Sequence, residues 1–458
     1  MSMKSKKIKN SPRKLYDLVI VGAGISGAAL LYVLGKYSNI KSVAVIEKFP
    51  EPARVNSDSK NNSQTLHFGD IETNYTLEKA RLVKEAAEMT RRYLERSGQK
   101  SGLYKKLTKM VLAVGPEEVA ELKQRHKEFK NLYPNLKLLQ KSAIAEVEPK
   151  VVEGRSPEQE IAALFTKDGY TVNYGKLAKA FLKEATLGND TTVDFFMPEK
   201  TKKIERVRLG GQKDPAYRVI TNRRQILSKT VAVTAGGYSL IFAQALGYGR
   251  EYTFLSVAGG FYFAPRLLNG KVYRVQIKGL PFAAIHGDPD INDLNLMRFG
   301  PTAKIIPLIE RRNYGTLFDY LTKIIDFNLP AIYAILRVML DPMIFFYGFK
   351  NFFYDWPVVG RRLFMKYARD IVPTLRLKDL VLAKGIGGSR PQIVNIKKGK
   401  MEMGEAKIIG KNIIFNITPS PGATRALSNG YEDARKIIEF LGEDYRFRDG
   451  DFKRDFMD

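Results

Sequence analysis

The first strongly patterned segment of the chain is an apolar run at residues 15–21, which predicts a buried strand. The run is followed by G-x-G-x-x-G, formed by Gly22, Gly24 and Gly27. Apolar positions at 28–34 then predict a helix, and residues 42–46 predict a second strand that ends at Glu47. A glycine turn between strand and helix, with an acid after the next strand, predicts a dinucleotide-binding unit. The glycines allow close approach of a pyrophosphate to the helix N-terminus, and Glu47 can accept hydrogen bonds from a ribose.

The rest of the chain alternates between helical and strand periods. Helices are predicted over residues 77–98, 116–130, 172–185 and 315–370, and strands over 108–114, 192–196 and within 251–300. The helix at 77–98 has an apolar face formed by Leu82, Ala86, Ala87, Met89 and Tyr93. The polar, basic residues 202–224 predict a hairpin.

Two late segments complete the nucleotide-binding half. Residues 230–238 predict an apolar strand that ends in small residues, and residues 412–441 predict a strand, a glycine-containing loop and a helix. We therefore predict an α/β fold with a Rossmann-like domain interrupted by an α+β substrate domain that contains a mixed or antiparallel sheet. The nucleotide-binding ranges are 15–85, 160–250 and 376–445, the substrate-side ranges are 86–159 and 251–375, and the ends are a basic disordered arm (1–14) and a poorly ordered tail (446–458).

Composition narrows the classes of partner and chemistry. The chain has 458 residues, 75 Lys and Arg against 48 Asp and Glu, a net charge of +27, and no cysteine. The lack of cysteine excludes disulfides, thiolate catalysis and cysteine-ligated metals, and with three scattered histidines we expect no metal site. The positive charge favours anionic partners such as a membrane surface, acidic metabolites or nucleic acid. The uncharged stretch 18–35 is long enough for a membrane span, but its glycine punctuation predicts strand, turn and helix instead.

The two late segments favour FAD over NAD as the cofactor. The strand that ends at residues 234–237 resembles the second nucleotide-side motif of FAD-dependent oxidoreductases. The strand, loop and helix at 414–427 resemble the segment that closes their flavin site. A helix N-terminus aimed at the flavin stabilises the negative charge of its reduced form.

Three long motifs carry a more specific resemblance. They are residues 62–76 (NSQTLHFGDIETNYT), residues 280–290 with 298–303 (LPFAAIHGDPD and RFGPTA), and residues 388–392 with 415–424 (GSRPQ and FNITPSPGAT). The chain resembles malate:quinone oxidoreductases over about residues 15–440, in particular the short epsilonproteobacterial form. The resemblance implies a glutathione-reductase or D-amino-acid-oxidase type of FAD fold, tightly bound FAD and peripheral association with a respiratory membrane.

The motifs and the resemblance together assign the cofactor contacts. These residues are Gly22, Gly24, Ser26, Gly27, Glu47, Lys48, Ser63, Ala235, Gly236, Ser420, Gly422, Ala423 and Thr424.

Oxidation of a 2-hydroxy acid needs a base for the hydroxyl proton, and the chain offers three histidines. We predict His286 as the base, because Asp288 is near enough in sequence to orient its imidazole. His67 ranks second, since the resemblance places its segment beside the flavin. His126 lies in a charged run and is predicted to be a surface residue.

The same reaction needs cationic donors for the substrate carboxylates. Arg390, fixed by the following proline, is the first candidate and Arg298 the second. Two cations match a dicarboxylate such as malate, whereas a monocarboxylate needs one. Gln64, Thr65 and Asn416 are candidate neutral donors.

Aromatic residues cluster at 327–356, mixed with a few charges and followed by Arg361, Arg362 and Lys366. Such a mixture suits a lipid-facing surface and a quinone entry, although a helical core of the substrate domain would also explain it. A basic N-terminal arm would add attraction to anionic lipid.

The sequence therefore predicts an FAD-dependent (S)-malate dehydrogenase that reduces a membrane quinone at the cytoplasmic face of a respiratory membrane, without a transmembrane helix. L-lactate or L-2-hydroxyglutarate oxidation on the same fold remains open, because pocket width cannot be derived from the sequence. A basic flavoprotein that binds RNA is the alternative from another class. No RNA-binding motif supports it, so no nucleic-acid partner is expected.

Overall fold

The structure is a computed structural model, and it describes residues 14–458 except 99–100, 188–189, 209–214, 281–283, 357, 403–405 and 418–420. The strands are β1 Leu15–Val21, β2 Ser42–Ile46, β3 Tyr104–Val114, β4 Lys137–Gln140, β5 Ile161–Val172, β6 Thr192–Phe196, β7 Thr201–Val207, β8 Ala216–Thr221, β9 Gln225–Val233, β10 Tyr252–Pro265, β11 Lys271–Arg274, β12 His286–Pro289, β13 Leu296–Ile305, β14 Val381–Leu382, β15 Ser389–Asn395, β16 Lys400–Met401, β17 Ala406–Gly410 and β18 Ile413–Ile417.

The helices follow the same chain order. They are α1 Ile25–Tyr37, α2 Leu77–Ser97, α3 Pro116–Phe129, α4 Lys141–Val147, α5 Pro149–Val152, α6 Tyr174–Glu184, α7 Tyr238–Ala245, α8 Thr316–Asp319, α9 Leu329–Met339, α10 Pro342–Phe353, α11 Val359–Ile371, α12 Ala426–Leu441 and α13 Asp449–Phe456. A π-helical turn covers Tyr320–Ile325 and a 3₁₀ turn covers Leu377–Asp379.

An eight-stranded sheet forms the nucleotide-binding half. Its order is β17-β18-β9-β1-β2-β6, with β8 and β7 added beside β9. The central strands β18, β9, β1, β2 and β6 pair in parallel, and their apolar residues face helices on one side and the β7–β8 hairpin on the other. Parallel strands covered on both faces are typical of Rossmann-like folds, so the predicted Rossmann-like fold of this half is confirmed.

A ten-stranded sheet forms the second half. Its order is β16-β15-β10-β13-β12-β11-β3-β5-β4, with β14 beside β10. Its pairs are antiparallel except for β11 with β3, which matches the predicted mixed sheet. Helices α9, α10 and α11 cover one face through apolar residues. The other face carries the polar residues described below.

The structure differs from the sequence prediction at three places. β5 and β15 belong to the ten-stranded sheet, although they fall in ranges predicted for the nucleotide domain. Leu82 is 54% exposed, so it is not part of the buried face of α2. The predicted C-terminal tail contains helix α13, whose Phe452 and Phe456 are buried against α1 residue Tyr37.

Residues 18–35, the stretch that hydropathy alone would flag, divide between β1 and α1. Within the described part of the chain, no single helix is long and apolar enough to cross a membrane. Two consecutive helices, Leu329–Met339 and Pro342–Phe353, together have the length and apolar composition of a membrane span, but the axis bends by 78° between them.

Candidate active site

The turn between β1 and α1 needs glycine at two positions. Gly22 has φ +105°, and a Cβ there would lie 2.7 Å from the backbone oxygen of Thr234. A Cβ on Gly27 would lie 2.1 Å from the backbone oxygen of Gly22. The tight turn and the close packing of helix on strand are therefore built into the sequence, as a dinucleotide-binding turn requires.

Glu47 is fixed at the end of β2 by backbone donors. Ala23 donates its N–H to Oε2 at 3.0 Å, and Phe49 donates to Oε1 at 3.0 Å. The carboxylate thus bridges the glycine turn and the strand end. This is the position predicted for the ribose-binding acid.

A cleft runs from this turn to the start of α12. Its lining includes nine of the predicted cofactor residues: Gly22, Gly24, Ser26, Glu47, Lys48, Ala235, Gly236, Gly422 and Ala423. Gly27 shapes the turn beneath it. Thr424 lies next to the lining, where its hydroxyl accepts from the His67 N–H at 3.1 Å. Ser63 is buried outside the lining, and Ser420 falls outside the described residues.

The cleft residues fit FAD. The lining comes from the ends of β1 and β2, the strand end at residues 234–237 and the loop before α12, which are the places where a Rossmann-like fold holds a dinucleotide. Lys48, at one end, is ion-paired with Glu310, and burial lowers its pKa to about 8. Helix α12 begins beside Gly422 and Ala423, which places a helix N-terminus at the other end.

His286 lies on the polar face of the ten-stranded sheet. Its ring stacks on Tyr273 at 4.5 Å between centroids, and its Nδ1 lies 3.1 Å from the backbone oxygen of Ala284. A carbonyl only accepts, so Nδ1 carries the proton and Nε2 is the basic nitrogen. Nε2 is buried without a hydrogen-bond partner among the described residues. Burial lowers the pKa of His286 to about 4, so the ring is neutral at pH 7.

Asp288 is the centre of a buried charge cluster. Lys271 lies 2.8 Å from Oδ2, and both side chains are fully buried. Burial by itself would raise the pKa of Asp288, but Lys271, His286 and Arg298 together hold it below its ordinary value. Oδ1 lies 3.5 Å from His286 Nε2, too far for a good hydrogen bond. The predicted pair of His286 and Asp288 is therefore adjacent but not hydrogen-bonded.

Arg298 and Thr65 join the same cluster. Arg298 is fully buried, with Nε 3.2 Å from Asp290 and its guanidinium 4.7 Å from the ring of Phe261. Its Nε and Nη2 form no geometrically sound hydrogen bond within the described structure. Thr65 accepts from Lys271 at 3.1 Å and lies 2.7 Å from the hydroxyl of Tyr273.

The side chain of Gln64 connects the loop after β2 to the ten-stranded sheet. Gln64 adopts φ +54°, donates to the backbone oxygen of Ser59 at 3.0 Å, and accepts from the N–H of Ile291 at 2.9 Å. Its amide therefore fastens the loop after β2 to the ten-stranded sheet, and Arg298 holds the same loop through Asn62 O at 3.2 Å.

The other predicted residues have partners outside the Asp288 cluster. His67 Nδ1 lies 2.5 Å from Oε1 of Glu72. Burial by itself would raise the pKa of Glu72, but the contact with His67 holds this pKa below its ordinary value. His126, on α3, is partly exposed and lies 3.1 Å from Leu136 O. Asn416 donates to the buried Asp433.

Arg390 occupies a separate position on β15, directly opposite Val257 of β10. Its side chain has no hydrogen bond or ion pair in the described part of the chain, and burial lowers its pKa. Its neighbour Pro391 lines the cofactor cleft. Successive residues of a strand face opposite sides, so the register alone does not bring Arg390 to His286.

Lys271 and Tyr273 were not predicted as site residues from the sequence. Both lie in β11, which the strand-rich range 251–300 included without assigning them a role. The signal was a lysine between Gly270 and Val272, at an apolar position of a short strand. Only the pairing of β11 with β12 brings Tyr273 opposite His286.

The fold is similar to that of solved oxidase structures. L-α-glycerophosphate oxidase from Mycoplasma pneumoniae, solved with FAD bound, has a TM-score of 0.62 at 18% identity, covering 93% of this chain and 95% of that one. Glycine oxidase from Geobacillus kaustophilus gives a TM-score of 0.62 at 16% identity with the same coverage. At this identity the likeness concerns the fold, and it confirms the predicted fold class.

Sequence relatives define the family. The family described as malate:quinone oxidoreductase (Mqo) matches residues 14–432. A probable malate:quinone oxidoreductase of Helicobacter acinonychis is 42% identical, over 94% of this chain and 96% of the relative. Malate:quinone oxidoreductase of Helicobacter pylori J99 and a probable one of Campylobacter jejuni are each 41% identical, with 94% of this chain covered. The chain belongs to the malate:quinone oxidoreductase family, and the resemblance of its motifs is confirmed.

Proposed function

We propose that this chain is an FAD-dependent enzyme that oxidises (S)-malate to oxaloacetate and reduces a membrane quinone. The observation that carries the proposal is the buried, neutral His286 with an unpaired Nε2, beside the charged group of Asp288, Lys271 and Arg298, in a member of this family. Malate gives up its C2 hydride and its hydroxyl proton, which together carry two electrons and two protons. A quinone takes up two electrons and two protons and leaves as quinol.

The cleft from Gly22 to Ala423 would hold FAD, with Glu47 at the ribose and the N-terminus of α12 at the flavin end. When bound, FAD supplies the two-electron acceptor that hydride transfer needs. The glycine turn provides the close backbone approach, and Lys48 adds a cation within the cleft.

His286 would receive the hydroxyl proton at Nε2. A base with a pKa of about 4 is weak in the free protein. A bound dicarboxylate places negative charge near the ring, which favours the imidazolium and raises the pKa toward neutrality. Substrate binding thus makes His286 a stronger base at the moment it is needed.

Arg298 and Arg390 are the proposed carboxylate donors. Arg298 offers Nε and Nη2 from a fully buried position, and Arg390 offers a guanidinium without an ion partner among the described residues. Two cations favour a dicarboxylate over lactate. L-lactate and L-2-hydroxyglutarate are the alternative substrates, and a product assay distinguishes them from (S)-malate.

The apolar hairpin, defined as residues 327–356 with α9 and α10, would attach the protein to the cytoplasmic face of the respiratory membrane. It exposes large apolar side chains, among them Leu329 (77%), Phe346 (68%) and Phe349 (58%). Exposed cations lie within it and on the following helix α11: Arg337, Lys350, Arg362, Lys366 and Arg369. Apolar surface bordered by positive charge matches an anionic bilayer interface.

A coupled assay tests the proposal. Purified holoenzyme with a soluble quinone should form oxaloacetate and quinol in a ratio of one to one from (S)-malate. The control is (R)-malate, which has the same charge and size. Product formed from L-lactate or L-2-hydroxyglutarate in preference to (S)-malate would contradict the substrate assignment.

A further inference from the structure

Helix α10 has two chemically different faces. Phe345, Phe346, Phe349 and Phe352 are 48% to 68% exposed and point away from the protein. Asn351 is buried, and it lines a cavity on the inner side together with Tyr347. The alternation follows the three-to-four residue spacing of a helix, so α10 separates an outer apolar surface from an inner pocket.

The cavity behind α10, here called the α10 pocket, has a volume of about 250 Å³. Its walls come from α10, from α11 through Tyr367, and from the ends of β11 and β12 through Val275 and Ile285. Ligand sites commonly range upward from about 300 Å³. At about 250 Å³ the pocket is slightly smaller than that range, a size that suits a single ring but not a long prenyl tail, which would stay along the outer surface.

The charges around the pocket balance. Glu118 is ion-paired with Arg274 at 2.9 Å, while Lys350 and Asp370 contribute one charge of each sign. Two acids and two bases leave no net charge, and the remaining lining is mainly apolar and aromatic. A neutral ligand fits such a site better than a dicarboxylate, which the charged group around Arg298 would attract.

Hydrogen-bond donors are available at the rim. Lys350 lies 4.3 Å over the ring of Tyr367 and makes no ion pair in the described part of the chain. Burial lowers its pKa, yet the ammonium keeps donors that can reach a carbonyl oxygen. Tyr367 and Tyr354 meet edge to face at 6.0 Å between centroids and form an aromatic wall. Aromatic walls and a few donors suit a flat ring that carries carbonyl groups.

The pocket backs onto the catalytic cluster. Ile285 lines the pocket, and the next residue is His286. Tyr273 stacks on His286, while the next residue, Arg274, lines the pocket and donates its N–H to Ile285 O at 2.9 Å. Because successive strand residues face opposite sides, one layer of two strands separates the two sites.

We propose that the α10 pocket binds the ring of the quinone, which enters along the apolar hairpin and accepts a hydrogen bond from Lys350. The assignment rests on the proposed function. The quinone takes two electrons, released by the substrate, and two protons, and it leaves as quinol by the same route.

A photoreactive quinone tests the site directly on the holoenzyme. A short-chain azidoquinone, irradiated and mapped by peptide mass spectrometry, should label residues 274–280 or 347–367, and excess unlabelled quinone should suppress the label. Labelling confined to the cofactor cleft or to other parts of the surface would overturn the proposal.

Two variants give an independent kinetic readout. Lys350→Met removes the donor at an exposed position, and Ile277→Phe narrows the mouth of the pocket at a residue that is 57% exposed. Each should raise the KM for quinone about tenfold, the first by loss of a hydrogen bond and the second by steric exclusion of the ring, while anaerobic reduction of the flavin by malate stays unchanged. The matched controls are Lys366→Met and Val359→Phe, which lie outside the pocket.

The outcomes separate this inference from the proposed function. Wild-type KM for quinone in both pocket variants would overturn the pocket even if malate reduces the flavin. Failure of malate to reduce the flavin in the wild-type protein would overturn the proposed substrate, whereas the labelled position is measured without malate.

Discussion

His286 and Asp288 lie on the same face of β12, with Nε2 of the histidine 3.5 Å from Oδ1 of the aspartate. Both atoms are buried and neither forms a hydrogen bond in the described part of the structure. Buried polar atoms are rarely left without partners, and those that are commonly mark a functional site. Both atoms are acceptors, so we expect the substrate hydroxyl to bind within hydrogen-bond distance of them and to donate its proton to Nε2.

Replacing the proposed base should slow chemistry without removing the cofactor. His286→Gln keeps a similar size but cannot take a proton, so kcat for malate should fall by roughly 10²–10⁴. Flavin content should match the wild type. A kcat within threefold of the wild type would show that another group takes the hydroxyl proton, and His67→Gln is the comparison variant.

The pH profile should separate free and substrate-bound protein. The pKa of His286 in the free protein is about 4, so titration of this residue should not change kcat/KM between about pH 6 and pH 8. The profile of kcat should break at a higher pH than that of kcat/KM, because bound dicarboxylate favours the imidazolium. A break in kcat/KM near pH 6.5 that disappears in His286→Gln would contradict the assignment.

Stability should also depend on pH through His286. Its pKa is lowered from 6.5 to about 4 in the folded state, so the unfolded chain binds more protons between these values. The free energy of unfolding should therefore rise with pH over this window, by roughly 3 kcal/mol from this residue. Urea unfolding at pH 5 and pH 7, with His286→Gln as the reference, should show about 2 kcal/mol of this total, because the two pH values cover only part of the window. An equal difference in the variant would exclude His286 as its source.

Removing one member of the Lys271–Asp288 pair should be costly. Lys271→Met leaves a fully buried carboxylate without its nearest cation and should lower the free energy of unfolding by about 3–5 kcal/mol. The double variant Lys271→Met with Asp288→Asn removes the unpaired charge and should recover part of the loss. Equal urea midpoints for wild type and Lys271→Met would show that the pair contributes nothing to stability.

Two glycine variants should differ in cofactor binding. A Cβ on Gly27 meets the backbone oxygen of Gly22 at 2.1 Å, whereas one on Gly24 meets only the hydroxyl of Ser57 at 3.3 Å. Gly27→Ala should purify with little FAD, and Gly24→Ala should retain most of it. Flavin absorbance per protein measures both, and full loading of Gly27→Ala would contradict the assigned geometry.

The apolar hairpin should govern attachment to lipid. Phe346→Ser with Phe349→Ser removes two exposed rings, each worth about 1.5–3 kcal/mol when buried. Sedimentation with vesicles that contain anionic lipid should fall by at least tenfold, while malate still reduces the flavin. Leu82→Ser, an exposed apolar change on α2, is the control. Unchanged sedimentation, or salt-dependent RNA binding without vesicle binding, would contradict this role.

Local patterns predicted the nucleotide half well, because Gly22, Gly27 and Glu47 lie within one strand–turn–helix–strand unit. His286 and Asp288 are two residues apart on one strand, so their proximity was also readable. Lys271 and Tyr273 were missed, because strand pairing across the chain brings them to His286. The packing of Phe452 and Phe456 against Tyr37 likewise joins the two ends of the chain, which no local pattern could reveal.

The predicted roles of Arg390 and Arg298 show the limit of motif reasoning. Both lie in the motifs, but the structure places Arg298 in the charged cluster and Arg390 opposite Val257 on another strand. Which of them holds a carboxylate depends on the depth and shape of the substrate site. The sequence shows the residue types but not that shape. For the same reason, the sequence alone does not distinguish malate from lactate as the substrate.

The most direct test of the account is an anaerobic spectral titration of the purified holoenzyme with (S)-malate, L-lactate and L-2-hydroxyglutarate in turn, followed for the wild type and for His286→Gln. The account predicts that malate bleaches the flavin absorption of the wild type, that the other two acids do not, and that bleaching by malate is slowed in the variant. Bleaching by lactate or 2-hydroxyglutarate but not by malate, or a protein that takes up no FAD, would contradict it.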